Sequence, residues 1–140
     1  MRVLYVDDNS TLCDIIRTAV ELRKLPDVDF VIAEGGKQGF DAFFDAKVAG
    51  KPFDAVLIDI AMPNLDGYTL ARLIRTLELG RLGKPSRLAF ITAHGRDMVS
   101  SYEIEANKVE FCWFRPDDMP NLIDNICQWL TGSPDCKEDE

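Results

Sequence analysis

Apolar residues in this chain follow two rhythms that alternate. Short, nearly unbroken runs (Val3 to Val6, Phe30 to Ala33, Ala55 to Ile58, Leu88 to Ile91, Val109 to Phe114) are each followed by a stretch in which apolar residues recur every three or four positions. The runs predict strands and the stretches predict amphipathic helices. The helical stripes are Leu12, Ile15, Ile16, Ala19 and Leu22, stopped by Pro26; then Phe40, Phe43, Phe44 and Val48, behind the punctuation Gly35-Gly36. Leu70, Leu73, Ile74 and Leu77 form the third, with Arg72, Arg75 and Glu78 turned outward. A weaker fourth covers about 96–106, with Met98, Val99, Tyr102 and Ile104, and the last is Met119, Leu122, Ile123, Ile126 and Leu130. Strands that are near-continuous apolar runs suit a sheet covered on both faces. Strand–helix alternation predicts a parallel sheet with right-handed crossovers. The expected fold class is therefore α/β, a doubly wound five-stranded parallel sheet, occupying residues 1–131. An acidic tail, 132–140, is expected to be disordered.

Composition narrows the function classes. The 140 residues suit one domain with a real core. A net charge of −8 argues against direct nucleic-acid binding, which needs basic patches. No signal peptide is legible at the start, and no apolar run approaches the roughly 20 residues that span a bilayer. Cys13, Cys112, Cys127 and Cys136 form no CxxC pair, which favours reduced thiols and a cytoplasmic protein over disulfides or zinc.

The chemistry lies where the strands stop. In an open parallel sheet, ligands bind beyond the carboxyl ends of the strands. Here the first strand runs into Asp7-Asp8, the third into Asp59, the fourth into Thr92-Ala93 and the fifth into Arg115-Pro116. Carboxylates so grouped repel one another, and a divalent cation removes the conflict; hard oxygen ligands with room for water suit Mg2+. A carboxylate can also attack phosphorus, a reaction that depends mainly on metal and cationic groups around the phosphoryl oxygens. Thr92 offers a hydrogen bond to one such oxygen and Arg115 a cation to another. Taken singly, each has a plainer reading. Asp7-Asp8 suits the start of a helix, Thr92 ordinary strand preference and Arg115 a surface ion pair. Gly35-Gly36-Lys37-Gln38-Gly39 lacks P-loop spacing and reads as a turn and helix start. His94 reads as a solvent-facing modulator, and Trp129 as ordinary packing.

Taken jointly, VLYVDDN at 3–9, VLIDIAMPNLDG at 56–67, FITA at 90–93 and FRP at 114–116 resemble the receiver domain of two-component response regulators over nearly the whole chain. The resemblance implies a flavodoxin-like (βα)5 fold with strand order 2-1-3-4-5. It implies Asp59 as phosphoacceptor, and Mg2+ held by Asp7, Asp8 (the more direct ligand), Asp59 and the backbone carbonyl of Ala61. Thr92 matches the switch hydroxyl. Pro63 and Gly67 shape the loop after the acceptor, Gly67 also fitting a backbone of relaxed φ. The implied function is that of a stand-alone receiver. It takes a phosphoryl group from a histidine kinase or histidine phosphotransfer protein and signals through contacts with a downstream protein. No enzyme activity is implied beyond phosphorylation and dephosphorylation of Asp59.

Two positions depart from the family. Arg115 stands where the family carries Lys, and the two cations are not interchangeable; Arg115 can pair with Asp59 or grip the phosphoryl group. Cys112 stands where the family usually carries Tyr or Phe, while strand alternation sends Phe111 and Trp113 to the opposite face. These departures leave room for an alternative, a pseudo-receiver that binds proteins independently of phosphorylation. A Mg2+-dependent phosphatase with an aspartyl nucleophile fits worse, because that class needs a second Asp where this chain has Ala61.

Overall fold

The computed structural model describes residues 1–80, 84–93, 99–114 and 119–131, with backbone alone for Phe114, Met119 and Pro120. Strands β1 (Arg2–Val6), β2 (Asp29–Ala33), β3 (Ala55–Asp59), β4 (Arg87–Thr92) and β5 (Val109–Phe114) alternate with helices α1 (Ser10–Leu22), α2 (Gly36–Val48), α3 (Gly67–Glu78), α4 (Ser101–Ala106) and α5 (Met119–Thr131). All neighbouring strands are parallel and the sheet order is β2-β1-β3-β4-β5. The chain starts at β1, adds β2 on one side and returns to the other side for β3. The crevice at this switch point opens beyond the carboxyl ends of β1 and β3.

Alternation along the strands builds two cores. Val3, Tyr5, Ala55, Leu57, Ala89, Ile91 and Trp113 face α1 and α5, against Cys13, Ile16, Leu122 and Ile126. Leu4, Val6, Val56, Ile58, Leu88 and Phe90 face the other way, against Phe43, Leu70, Ala71 and Ile74. Each large aliphatic side chain so buried contributes about 1.5–3 kcal/mol over leaving it in water. Both faces being covered is the reason the strands are nearly continuously apolar.

The last helix, α5, buries its predicted Leu122, Ile123, Ile126 and Leu130, but α1 and α2 lie on a slightly different face from the one their apolar stripes predict. The buried side of α1 is Leu12, Cys13, Ile16 and Val20, whereas Ile15 is 47% and Leu22 72% exposed. The helix is wedged between sheet and α5, and Cys13 and Val20 complete the inward row that the larger residues only border. In α2 the buried side is Gly36, Gly39, Phe43 and Ala46, with Phe44 and Val48 exposed. A Cβ on Gly39 would come within 2.8 Å of both γ-carbons of Val6, so the helix approaches β1 through its glycine. In α3 the buried residues are Leu70, Ala71 and Ile74, and Arg72 points outward as expected, but Arg75 and Glu78 do not. Arg75 donates to the carbonyls of Asn107, Ser86 and Lys108 and to Glu78, whose other oxygen accepts from Ser86 N–H at 2.8 Å. The loops flanking β4 and β5 close over the end of α3 and turn an outward arginine into a tie.

Helix α4 is short, capped by Ser100, and buries no residue fully. Val99 and Ile104 touch the second core, Tyr102 is exposed, and Met98 lies outside the described residues, as does the tail 132–140. Strand β5 has a register shift: Leu88 pairs with Val109 and Ala89 with Phe111, leaving Glu110 as an extra residue. Such a bulge reverses side-chain alternation locally. Val109 thus joins the second core, while Phe111 and Trp113, their rings stacked on each other at 5.4 Å, lie on the first, opposite Cys112 as expected. Among the described residues no helix is long and apolar enough to cross a membrane.

Candidate functional site

Each side chain of the rim is delivered by the end of a strand. Asp7 follows β1, Asp59 ends β3 and Thr92 ends β4; all three are buried, and Asp8 beside them is exposed. Asp7, Asp8 and Asp59 each bring a carboxylate oxygen to within 4.8 Å of the others. A buried carboxylate needs compensation. Asp7 has it from two donors: the Tyr5 hydroxyl gives to one oxygen at 2.8 Å and Asn9 N–H to the other at 2.9 Å. Asn9 also caps α1, accepting from Leu12 N–H at 3.0 Å, so helix start and carboxylate are fixed together. Asp59 accepts from Ala61 N–H at 3.3 Å.

The loop after Asp59 explains why so apolar a strand breaks abruptly. Ile60 N–H still pairs with the Ile91 carbonyl, and the Ile60 carbonyl then accepts from Gly67 N–H at 2.8 Å, folding MPNLD into a closed loop. Asn64 takes a φ of 72° at its tip, and Asp66 caps α3 through Thr69 N–H at 2.8 Å. Gly67 does not adopt the positive φ expected of it; it is needed for space. A Cβ there would lie 2.5 Å from the Asp59 carbonyl oxygen and 2.7 Å from Ile60 Cα. Gly36 plays the same part from α2, where a Cβ would collide with the Leu65 carbonyl. The loop after Asp59 is thus clasped by two helix starts.

The structure brings Asp7, Asp8, Asp59 and Thr92 to one rim with Ala61 in the adjoining loop. Arg115, Pro116 and His94 lie outside the described residues. Cys13 sits under the rim with its Sγ 3.4 Å from the Asp7 carbonyl oxygen, and burial, with Asp7 adding to it, pushes the thiol up to about 12. It stays protonated and serves as a small apolar residue. The donor set suits a hard divalent cation: grouped carboxylates, one of them at the surface where a hydrated ion has room.

One residue of this region escaped the sequence reading. Tyr68, in the first turn of α3, sets its ring edge-on to Phe90 at 5.5 Å and accepts Ser100 N–H at 2.8 Å. Phe90 is the register partner of half-buried Cys112. On this face, an aromatic ring from the start of α3 reaches the cap of α4. The only signal in the sequence was a Tyr directly after Asp66-Gly67, where any apolar residue would also serve.

Comparison with known proteins agrees with this geometry. The family model described as response regulator receiver domain matches residues 3–126. A hybrid signal transduction histidine kinase of Dictyostelium discoideum is 33% identical over 93 residues, 66% of this chain and 5% of the kinase. The first curated relatives are spanned by this chain over only 5% to 41% of their lengths. Among solved structures, a CheY-like receiver domain protein from Methanospirillum hungatei superposes with a TM-score of 0.70 at 22% identity, covering 94% of each chain. The response regulator TrrA of Thermotoga maritima, in complex with Mg2+ and BeF, superposes at 0.67 and 22%, covering 91% of this chain and 96% of its own.

Proposed function

Because this chain belongs to the response regulator receiver domain family, we propose that it is a phosphorylation switch of two-component signalling with Asp59 as the acceptor. The observation that carries the reading is the meeting of Asp7, Asp8 and Asp59 at the crevice, with Thr92 ending the adjacent strand. An Asp59 oxygen attacks the phosphorus of a phosphohistidine or small phosphodonor; the O–P bond forms as the bond to the leaving imidazole or donor oxygen breaks. Ala61 N–H orients the acceptor carboxylate, and Asp59 is 2% exposed, so the phosphoryl group enters from the side of exposed Asp8. Thr92 donates to a phosphoryl oxygen, and Arg115 pairs with another. Asp7, Asp8, Asp59 and the Ala61 carbonyl would hold Mg2+, which supplies charge neutralisation for the transferring group.

The donor is proposed to be a histidine kinase or histidine phosphotransfer protein, and the output a contact with a downstream protein. Free thiols at Cys13, Cys112 and Cys127 suit a reducing cytoplasm. Action as a stand-alone regulator is likewise a proposal, tested by the mass of the natural protein in its cell. Cys112 in place of an aromatic favours the second reading, a pseudo-receiver that binds partners without switching.

Incubation with acetyl phosphate and Mg2+ separates the two. Intact mass is expected to show one added phosphoryl group, lost in Asp59→Asn. A folded wild type that stays unmodified at every donor concentration overturns the acceptor reading and leaves the pseudo-receiver.

A further inference from the structure

We infer that Tyr5 is a positioning residue of the metal-binding rim, holding the Asp7 carboxylate in one fixed orientation toward the ion. The inference rests on the proposed Mg2+ site and deepens it. Tyr5 and Asp7 stand two residues apart, so strand alternation points both to the face of α1 and α5. Tyr5 is fully buried, which for a phenol is costly unless the hydroxyl is bonded. Its hydroxyl donates to one Asp7 oxygen at 2.8 Å while Asn9 N–H holds the other at 2.9 Å. An aliphatic residue at position 5 would satisfy the core equally well and leave that oxygen without this donor. The ring itself is located by Phe30, stacked at 6.2 Å with an interplanar angle of 22°. The chain Phe30–Tyr5–Asp7 therefore runs from β2 through the core to the rim.

The two donors divide the acidic pair by role. Asp7, gripped at both oxygens, cannot swing to meet an ion; its remaining lone pairs face the rim in a fixed direction. Asp8 is exposed and can adapt. Asp7 would then offer the ion a fixed acceptor, and Asp8 an adaptable one. Groups that orient ligands and outer-shell acceptors set affinity, and their loss commonly costs about 10-fold or more in metal binding.

The test compares wild type, Tyr5→Phe and Phe30→Leu, each checked for folding by circular dichroism. Mg2+ is titrated while amide resonances of residues 7–9 are followed, and the rate of acetyl phosphate labelling is measured against Mg2+ concentration. For Tyr5→Phe, which keeps the ring, the half-saturating Mg2+ is expected to rise about 10-fold with the rate at saturating Mg2+ kept. Phe30→Leu, which loosens the stack and spares the hydroxyl, is expected to lower stability with a much smaller change in Mg2+ affinity. Wild-type binding with unchanged affinity in Tyr5→Phe overturns this inference alone. Equal loss in Phe30→Leu also overturns it, since packing and not the hydroxyl is then responsible. A wild type that takes no Mg2+ overturns the proposed site and the inference together.

Discussion

At the scale of single residues, the acceptor loop depends on the missing side chain of Gly67. The position a Cβ would occupy lies 2.5 Å from the Asp59 carbonyl oxygen, which is backbone and cannot swing aside. Gly67→Ala must therefore push α3 off β3, and overpacking of this kind costs about 1–3 kcal/mol. Urea denaturation is expected to show a lower midpoint, and acetyl phosphate labelling of Asp59 is expected to slow as the loop shifts. An unchanged midpoint means the loop yields freely and the clasp is not tight. The same scale shows which residues were legible beforehand. Asp7, Asp8 and Asp59 stood out because each interrupts an apolar run at the point where a parallel sheet places its ligands. Tyr5 did not, since a tyrosine within an apolar strand looks like core until its hydroxyl is seen against Asp7. Gly67 was legible as necessary, but for φ, because the approach of α3 to Asp59 is a tertiary fact.

At the scale of elements, the bulge in β5 sets Glu110 in a small network with β4 and α5. One Glu110 oxygen accepts from Arg87 Nε at 3.0 Å and from Trp129 Nε1 at 2.9 Å, while the Arg87 guanidinium lies 4.7 Å from the Trp129 ring centroid. Burial alone would raise the Glu110 carboxyl, but hydrogen bonds from Arg87 and Trp129, with the Arg87 charge, outweigh it and hold the group below its ordinary 4.5. A carboxyl lowered in the folded state stabilises the fold at pH above its unfolded value, and that contribution fades as pH falls through the folded one. Glu110→Gln is therefore expected to be less stable than wild type near neutrality. The gap should narrow below about pH 4.5, read by thermal melts from pH 7 down to 3. A constant gap across that range assigns the loss to packing and not to the ion pair. All the elements were legible from their apolar rhythm, yet the buried face of several helices was not. Periodicity counts large side chains, so Phe44, Val48, Ile15 and Leu22 drew the stripe outward. The true contacts run through Gly39, Ala46, Cys13 and Val20, whose smallness is what lets the helices come close. Arg75 was misread for a related reason: a helical wheel cannot see the carbonyls of Ser86, Asn107 and Lys108 arriving from other loops.

At the scale of the whole molecule, the question is how an event at Asp59 reaches the outer surface of α4 and β5. The family route, implied by resemblance, moves the threonine and an inward aromatic of the fifth strand together; here that strand offers Cys112 at the register position of Phe90. A thiol fills little of an aromatic's volume, so position 112 has no large group to swing inward. The aromatic packed edge-on against Phe90 is Tyr68, and it is tied at both ends. Its backbone belongs to the first turn of α3, directly after the Gly67 amide that closes the acceptor loop, and its hydroxyl accepts the Ser100 N–H at the cap of α4. Arg72, one turn further along α3, pairs with Glu103 of α4 at 2.8 Å. Helix α4 buries no residue fully and so has little packing to resist displacement. A modification shifts an equilibrium only through contacts that differ between the two states. Among the described residues, Tyr68 and Arg72 carry contacts from α3, which follows the Asp59 loop, to α4. With Mg2+ and beryllofluoride as phosphoryl mimic, amide shifts are therefore expected at Thr92, Tyr68 and Ser100 to Ala106, and only small ones along Val109 to Trp113. Tyr68→Phe, which keeps the ring on Phe90 and loses the acceptor for Ser100, is expected to confine the shifts to the rim. Cys112→Tyr is expected to extend them into β5. Large shifts throughout β5 in the wild type, or an unchanged pattern in Tyr68→Phe, would show that the signal leaves the rim by another path.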